Sequence, residues 1–276
     1  MHYQLLATDL DGTFLNSQSK VSTVNAQAVL DAQHNGLRCI AITARSAKST
    51  IRISREGNLG PLAVCANGAI GVNVDSEELI WHDIIAPATA QAVVTALRLL
   101  LPGVLFASEY DRDFVHETGF LRGESVVESF RETGDIVGSL DRGATKLICR
   151  HPNYHHLDLI PVIDEASSGS LSTSPGSIDW MEILPLGISK ASGLARACDY
   201  LGLNIKQAVV IGDHLNDLPM FEAAGLAAAV ANAHPSTLEK ADLVVSSNDD
   251  NAVADLLGQL KIEAASLTDL HVHRRH

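Results

Sequence analysis

The chain has 276 residues, which at about 150 residues per domain corresponds to two domains or to one large domain with an insertion. Its 20 lysines and arginines against 33 aspartates and glutamates give a formal net charge of −13, so nucleic acid and anionic membranes are poor candidate partners. A hydrophobic fraction of 46% with 19% charged residues is typical of a globular chain and excludes disorder for the bulk of it.

The sequence has no segment that predicts a membrane span. The longest apolar candidate, residues 92–107, contains Arg98 and is interrupted by Pro102. No positive region precedes an apolar run at the N-terminus, so we expect no signal peptide and a cytoplasmic location. The cysteines are far apart, which favours reduced, buried thiols over disulfides or a zinc site. They are Cys39, Cys65, Cys149 and Cys198.

Four short apolar runs each end in a polar residue. Residues 4–8, 38–42, 62–66 and 208–212 are followed by Asp9, Thr43, Asn67 and Asp213, respectively. Such runs, separated by helix-like segments, indicate an α/β fold with a buried parallel sheet. Because ligands bind at the carboxyl ends of the strands in such sheets, we expect the four polar residues to converge on one crevice.

The helices between these strands have readable boundaries. Ser22 is the predicted N-cap of a helix that ends near Gly36, and a second helix runs from about Ser189 to Gly202. Asn216 is predicted to begin a third, which tolerates a proline in its first turn. Strands predicted at 226–230 and 243–245 continue the same sheet, and a last helix is predicted near 252–260.

The middle of the chain has a different pattern, which predicts an inserted α/β domain. Its candidate strands are residues 104–107, 114–116, 146–150 and 180–184, and its candidate helices are residues 88–101 and 154–166. The resulting prediction is a core domain of residues 1–83 and 185–276 with residues 84–184 inserted into it.

Two acidic groups follow predicted strands. Asp9 and Asp11 are two residues apart, so in an extended backbone their carboxylates point to the same side. Two carboxylates this close indicate a divalent cation, a shared proton, or both. Asp213 and Asp217 form the second group, and oxygen ligands in this number favour Mg²⁺ over zinc. An EF-hand is excluded, because such a loop would need glycine where Phe14 stands.

A metal held by few carboxylates can accept a phosphate oxygen, which calls for further donors to the phosphate. Thr43 closes the second strand, and Lys190 begins the helix before the Asp213 strand, where the helix N-terminus also favours an anion. Both residues fit that requirement.

Five motifs, in order, resemble those of the haloacid dehalogenase (HAD) superfamily, and the branch they resemble most is that of the Cof-type phosphatases. The resemblance covers nearly the whole chain. It departs from the family pattern at Ala44, where the family usually has glycine and where a positive φ would be strained. The motifs are residues 9–13 (DLDGT), 42–45 (ITAR), 67–69 (NGA), 189–191 (SKA) and 212–220 (GDHLNDLPM).

The resemblance implies a Rossmann-like core with an α/β cap, and a phosphatase that hydrolyses small phosphate monoesters, such as sugar phosphates or phosphorylated cofactors. It makes Asp9 the nucleophile that becomes an aspartyl-phosphate and Asp11 the general acid and base. Mg²⁺ would be bound by Asp9, the main-chain carbonyl of Asp11 and Asp213, with Asp217 in or just behind the first shell. The further roles that it implies are phosphate binding by Thr43, Lys190 and Asn216, and a place beside the substrate for Arg45 and Asn67.

Three other functions stay open on the sequence. A phosphomutase would return the phosphoryl group to a sugar instead of giving it to water. A phosphoacceptor signalling domain also combines acidic residues, a threonine and a lysine on a parallel sheet, and a binding protein without activity is the third. The oligomeric state is open as well.

Overall fold

The computed structural model describes residues 3–121, 130–176 and 179–260, and these residues form an eight-stranded and a six-stranded sheet. The strands of the larger sheet are β1 (Leu5–Thr8), β2 (Arg38–Ile42), β3 (Leu62–Cys65), β4 (Ile70–Asn73), β5 (Leu79–His82), β12 (Ala208–Gly212), β13 (Leu226–Val230) and β14 (Leu243–Val245). Those of the smaller sheet are β6 (Leu105–Tyr110), β7 (Asp113–Glu117), β8 (Arg131–Thr133), β9 (Lys146–Arg150), β10 (Leu171–Pro175) and β11 (Met181–Pro185).

The larger sheet has the strand order β14-β13-β12-β1-β2-β3-β4-β5. Strands β14 to β3 pair in parallel, as predicted, whereas β4 and β5 are antiparallel additions at one edge. Only residues 66–69 separate β3 from β4, and a connection this short can join only antiparallel neighbours. The α/β fold is confirmed, with a mixed rather than wholly parallel sheet.

Two helices on the larger sheet have the boundary residues that the sequence predicts. Ser22 Oγ accepts hydrogen bonds from the amides of Val24 and Asn25, and Gly202 closes a later helix in the left-handed conformation. The helices around this sheet are α1 (Thr23–His34), α2 (Ala47–Glu56), α5 (Lys190–Leu201), α6 (Leu218–Ala223), α7 (Pro235–Lys240) and a last helix that begins at residue 252.

Two predicted helices differ from those observed. Asn216 lies in a 3-10 turn, Leu215–Asp217, and the α-helix begins only at Leu218. The helix predicted over 154–166 is a 3-10 turn, His156–Leu159, followed by α4 (Ile160–Ser167). In both cases a proline occupies the first turn of the α-helix, a position at which its missing amide costs no hydrogen bond.

The smaller sheet has the order β10-β11-β9-β6-β7-β8 and is antiparallel except between β7 and β8. The helices α3 (Pro87–Leu100) and α4 pack against each other beside it. The sequence analysis missed β8 and β10. Strand β10 is rich in serine and proline, and only its pairing with β11 reveals it as a strand.

Each sheet has its own apolar core. One hydrophobic cluster is drawn from residues 5–74 and 194–257, and another from residues 85–183. The four cysteines are buried and free, as the sequence predicted. Among the residues that the structure describes, no helix combines the length and the apolar character needed to cross a membrane.

Candidate active site

Three carboxylates meet at the carboxyl edge of the larger sheet. Asp9 directly follows β1, and Asp213 directly follows the neighbouring parallel strand β12. Asp217 reaches the same point from the adjoining 3-10 turn. One ligand atom from each of the three carboxylates lies within 4.8 Å of the others. The topology therefore brings together Asp9 and Asp213, which both follow strands, and Asp217, which lies four residues after Asp213.

Lys190 is the counter-ion of this cluster. Its Nζ lies 2.8 Å from Asp9 Oδ1 and 2.6 Å from Asp217 Oδ1, and its side chain is only 1% exposed. Ser189 caps helix α5 and so fixes the point at which Lys190 enters the site. The second oxygen of Asp217 accepts hydrogen bonds from the amides of Asp213 and His214 at 2.9 and 3.0 Å. Both oxygens of Asp217 are thus engaged by groups of the protein.

Gly12 is required by the packing of Asp213. Its φ is +72°, and a Cβ on it would lie 2.4 Å from Asp213 Oδ2. Thr13 donates from Oγ1 to the other Asp213 oxygen, Oδ1, at 3.2 Å. The turn after β1 therefore approaches Asp213 closely and orients its carboxylate.

The cluster carries three carboxylates and one ammonium. Burial raises the pKa of Asp9 well above its ordinary value, Lys190 opposes this rise, and Asp217 and Asp213 add to it. Burial and Asp217 likewise raise the pKa of Asp213 to about 6. Burial alone would lower the pKa of Lys190, but Asp217 and Asp9 raise it above its ordinary value. This surplus of buried negative charge fits a divalent cation.

Asp11 is held apart from this cluster. Its two oxygens accept from Nε and Nη2 of Arg45, both at 2.6 Å. Arg45 also donates to Ser49 Oγ at 3.0 Å. The Asp11 side chain is 45% exposed, so part of its carboxylate faces the solvent side of the site. Asp9 and Asp11 each have a cation of their own, Lys190 and Arg45, which offsets the repulsion expected between neighbouring carboxylates.

The remaining predicted residues are Thr43, Asn67 and Asn216, and the loops that carry Thr43 and Asn67 are joined by backbone hydrogen bonds. The amide of Asn67 donates to Thr43 O at 2.9 Å, and the amide of Ala66 donates to Arg45 O at 2.9 Å. The Asn67 side-chain oxygen accepts from Asn216 Nδ2 at 3.2 Å. Ala44 is not among the described non-glycine residues with positive φ, so its departure from the family glycine creates no backbone strain.

Two residues that the sequence analysis missed touch these loops from the smaller sheet. Lys146 Nζ donates to Ala44 O at 2.7 Å, and Glu182 accepts from Asn67 Nδ2. The sequence feature that could have identified them is a charged residue inside or at the end of an apolar strand, as in Met181-Glu182-Ile183-Leu184. A buried charge needs a partner, and here the partners lie on the other sheet.

Comparison with known proteins gives the family. The family described as haloacid dehalogenase-like hydrolase matches residues 6–257, so the chain belongs to this family. This confirms the resemblance found in the motifs. Within the family the chain is a phosphatase, and two relatives of nearly equal length from Bacillus subtilis are named a phosphatase and a putative phosphatase.

Three relatives illustrate the range. The phosphatase YwpJ of Bacillus subtilis is 23% identical, covering 93% of this chain and 99% of that protein. The pyridoxal phosphate phosphatase YbhA of Escherichia coli is 23% identical, covering 93% and 98%. A protein of Arabidopsis thaliana, named chloroplastic endoribonuclease YBEY, is 26% identical over 92% of this chain. The chain spans only 46% of the length of that plant protein.

Solved structures share the fold. A haloacid dehalogenase-like hydrolase from Bacteroides thetaiotaomicron superposes with a TM-score of 0.76 at 22% identity, covering 94% of this chain and 99% of that one. A protein from Streptococcus mutans UA159 gives a TM-score of 0.82 at 18% identity, covering 94% and 99%. The fold is therefore shared with both solved structures.

Proposed function

We propose that the chain is a Mg²⁺-dependent phosphatase that hydrolyses small phosphate monoesters by transferring the phosphoryl group to Asp9. One observation carries the proposal: Asp9 is buried against Lys190 in a cluster with Asp213 and Asp217. A carboxylate that is held in place and paired with an ammonium is suited to nucleophilic attack on an anionic phosphate.

The cluster suits a magnesium ion because its carboxylates outnumber its ammonium groups. Both oxygens of Asp217 are engaged by Lys190 and by backbone amides. We therefore assign the metal to the carboxylates of Asp9 and Asp213 and to the main-chain carbonyl of Asp11, with Asp217 behind them. When bound, the ion offsets the repulsion between the Asp9 carboxylate and the phosphate.

Thr43, Lys190 and Asn216 would bind the phosphate oxygens. Lys190 already points its ammonium at Asp9 and can share it with an incoming phosphate. Thr43 Oγ1 accepts from the amide of Arg45 at 3.2 Å, which leaves its hydroxyl hydrogen for the ligand. Asn216 is tied to Asn67, which fixes the direction of its amide.

The reaction needs one nucleophile and one proton carrier. An Asp9 oxygen forms the bond to phosphorus as the bond to the leaving oxygen breaks, and Asp11 gives that oxygen its proton. Asp11 then takes a proton from water, whose oxygen attacks phosphorus and releases phosphate and free Asp9. Arg45 donates to both Asp11 oxygens in the structure, so one of these hydrogen bonds must open before Asp11 can carry the proton, while the other keeps Asp11 in place.

The substrates we propose are phosphorylated sugars or cofactors. The names of two relatives support this: one is a phosphatase of 5-amino-6-(5-phospho-D-ribitylamino)uracil and the other of pyridoxal phosphate. We also propose that residues 1–83 and 185–276 form the catalytic core and residues 84–184 the cap. The separate hydrophobic clusters of the two regions support this division.

The test is phosphate release from p-nitrophenyl phosphate and a panel of sugar and cofactor phosphates, with Mg²⁺ or with EDTA. We expect release with Mg²⁺ and none with EDTA. Transfer of the phosphoryl group to a second sugar, without free phosphate, would instead identify a phosphomutase. A phosphoprotein that persists without turnover would identify a phosphoacceptor.

A further inference from the structure

A buried group of charges in the smaller sheet faces the candidate site. Lys146 on β9 donates to Glu182 Oε1 on β11 at 2.7 Å, and its Nζ lies 3.6 Å from Glu109 Oε2 on β6. The three side chains are between 3% and 5% exposed. Charges buried this deeply are costly unless they are paired, and this pairing extends beyond the smaller sheet.

The group contacts the larger sheet at two points. Lys146 Nζ donates to the main-chain oxygen of Ala44 at 2.7 Å. The second oxygen of Glu182 accepts from Nδ2 of Asn67. Ala44 directly follows Thr43, a proposed phosphate ligand, and Asn67 contacts Asn216, another proposed ligand.

The contact with Asn67 determines which way its amide points. A carboxylate can only accept hydrogen bonds, so Asn67 must turn Nδ2 toward Glu182. Its oxygen then faces Asn216, whose Nδ2 donates to it at 3.2 Å. Through Asn67, Glu182 therefore selects one orientation of the Asn216 amide, and Asn216 is a proposed phosphate ligand.

We propose that Glu182, held by Lys146, is a positioning residue for the phosphate site. This inference rests on the proposed function. The cap completes the phosphate site by orienting side chains of the core, in addition to covering the substrate. Glu182 acts through Asn67 and does not contact the leaving group.

The test uses Glu182→Gln and Glu182→Asp. Lys146 and Asn67 donate to different oxygens of Glu182, and glutamine keeps an oxygen at only one of these two positions, so the amide nitrogen at the other position cannot accept from its partner. The aspartate side chain keeps the charge but is one methylene shorter, so it loses its reach to Asn67. We expect each variant to bind inorganic phosphate about tenfold more weakly by calorimetry, and kcat to fall by about the same factor.

The losses must be equal for p-nitrophenyl phosphate and for a sugar phosphate, because positioning acts on the shared phosphate. The Asn67→Ala variant should show a similar loss, and Glu182→Gln should add nothing to it in the double variant. Losses that depend on the leaving group, or that add in the double variant, would overturn the proposal.

Arg112→Met is the matched control. Arg112 also joins the two sheets, donating to Glu77 Oε2 at 2.9 Å and to Glu77 O at 3.0 Å, but it touches neither loop. We expect its phosphate affinity and kcat to match the wild type, and a loss equal to that of Glu182→Gln would overturn the proposal. If the wild type binds phosphate but hydrolyses no ester, the proposed function fails, and the phosphate affinities still decide this inference.

Discussion

Two buried lysines each lie between two carboxylates, one on β9 of the smaller sheet and one at the start of α5 beside the larger sheet. Lys190 lies between Asp9 and Asp217, and Lys146 lies between Glu182 and Glu109. Burial alone would lower the pKa of Lys146, but its two glutamates raise it, as the two aspartates raise that of Lys190. In both places the lysine stays charged because its neighbours are anions.

The two groups differ in how their remaining charge is satisfied. Around Lys146, the protein supplies the additional partners, the Asn67 amide and the Ala44 carbonyl. Around Lys190, Asp213 adds a third carboxylate, and burial and Asp217 raise its pKa. The comparison indicates that the first group is completed by protein contacts, whereas the second is suited to a cation.

The largest expected effect is a difference in kcat between substitutions in the group around Lys190 and substitutions in the group around Lys146. Asp9→Asn keeps the shape of the side chain but removes the proposed nucleophile, so kcat should fall by on the order of a thousandfold or more. The Glu182 variants should lose far less. The measurement is phosphate release at saturating substrate, and an Asp9→Asn protein with near wild-type turnover would contradict the assignment.

The second effect concerns stability. Lys190→Met and Lys146→Met each leave buried carboxylates without their ammonium, which should lower the free energy of unfolding by about 3–5 kcal/mol. Urea unfolding measures this. Mg²⁺ should restore about 1–3 kcal/mol to Lys190→Met by binding beside Asp9, and should help Lys146→Met no more than the wild type. Equal recovery of both variants would remove the distinction between the two groups.

A smaller effect tests the close approach of the turn after β1. Gly12→Ala would place a methyl group against Asp213 at a φ of +72°, whereas Gly36, with a φ of +88°, has no atom within 4 Å of such a group. We expect Gly36→Ala to cost about 1 kcal/mol, and Gly12→Ala about 3 kcal/mol together with most of the activity. Thermal unfolding and turnover measure the two, and equal costs would show that backbone strain alone matters.

The smallest effect concerns the thiols. Burial raises the pKa of Cys39, Cys65 and Cys149 to about 12, so at neutral pH their thiolates are scarce. We expect none of the three to react with a thiol reagent in the native protein, and all to react in urea. Rapid labelling of Cys149 alone would show that the smaller sheet opens independently.

The core of the fold was predictable because its strands are continuous apolar runs. The predicted boundaries of β2, β9 and β12 agree with the structure. The sequence analysis missed β4 and β10. Each of them is recognisable as a strand only by its antiparallel pairing, β4 with β3 and β10 with β11. For such segments, tertiary contacts outweigh local pattern.

The candidate site likewise has a part that the sequence predicts and a part that only the structure shows. Asp9, Lys190, Asp213 and Asp217 each follow from a strand end or a helix start, and the structure brings them together. The partnership of Asp11 with Arg45 joins residues 34 positions apart, and that of Asn67 with Glu182 joins residues 115 apart. No spacing rule of helices or strands connects positions so distant, so these contacts required the structure.

The most direct test of the central claim is whether a phosphoryl group is carried by Asp9. Asp11→Asn removes the proposed acid and base. The p-nitrophenolate leaving group needs no acid to depart, so with p-nitrophenyl phosphate and Mg²⁺ the covalent intermediate should form, fail to hydrolyse and accumulate until it is quenched in acid. Peptide mass spectrometry should then find the phosphoryl group on Asp9. Turnover without any phosphorylated peptide, or a phosphoryl group on another residue, would contradict the account.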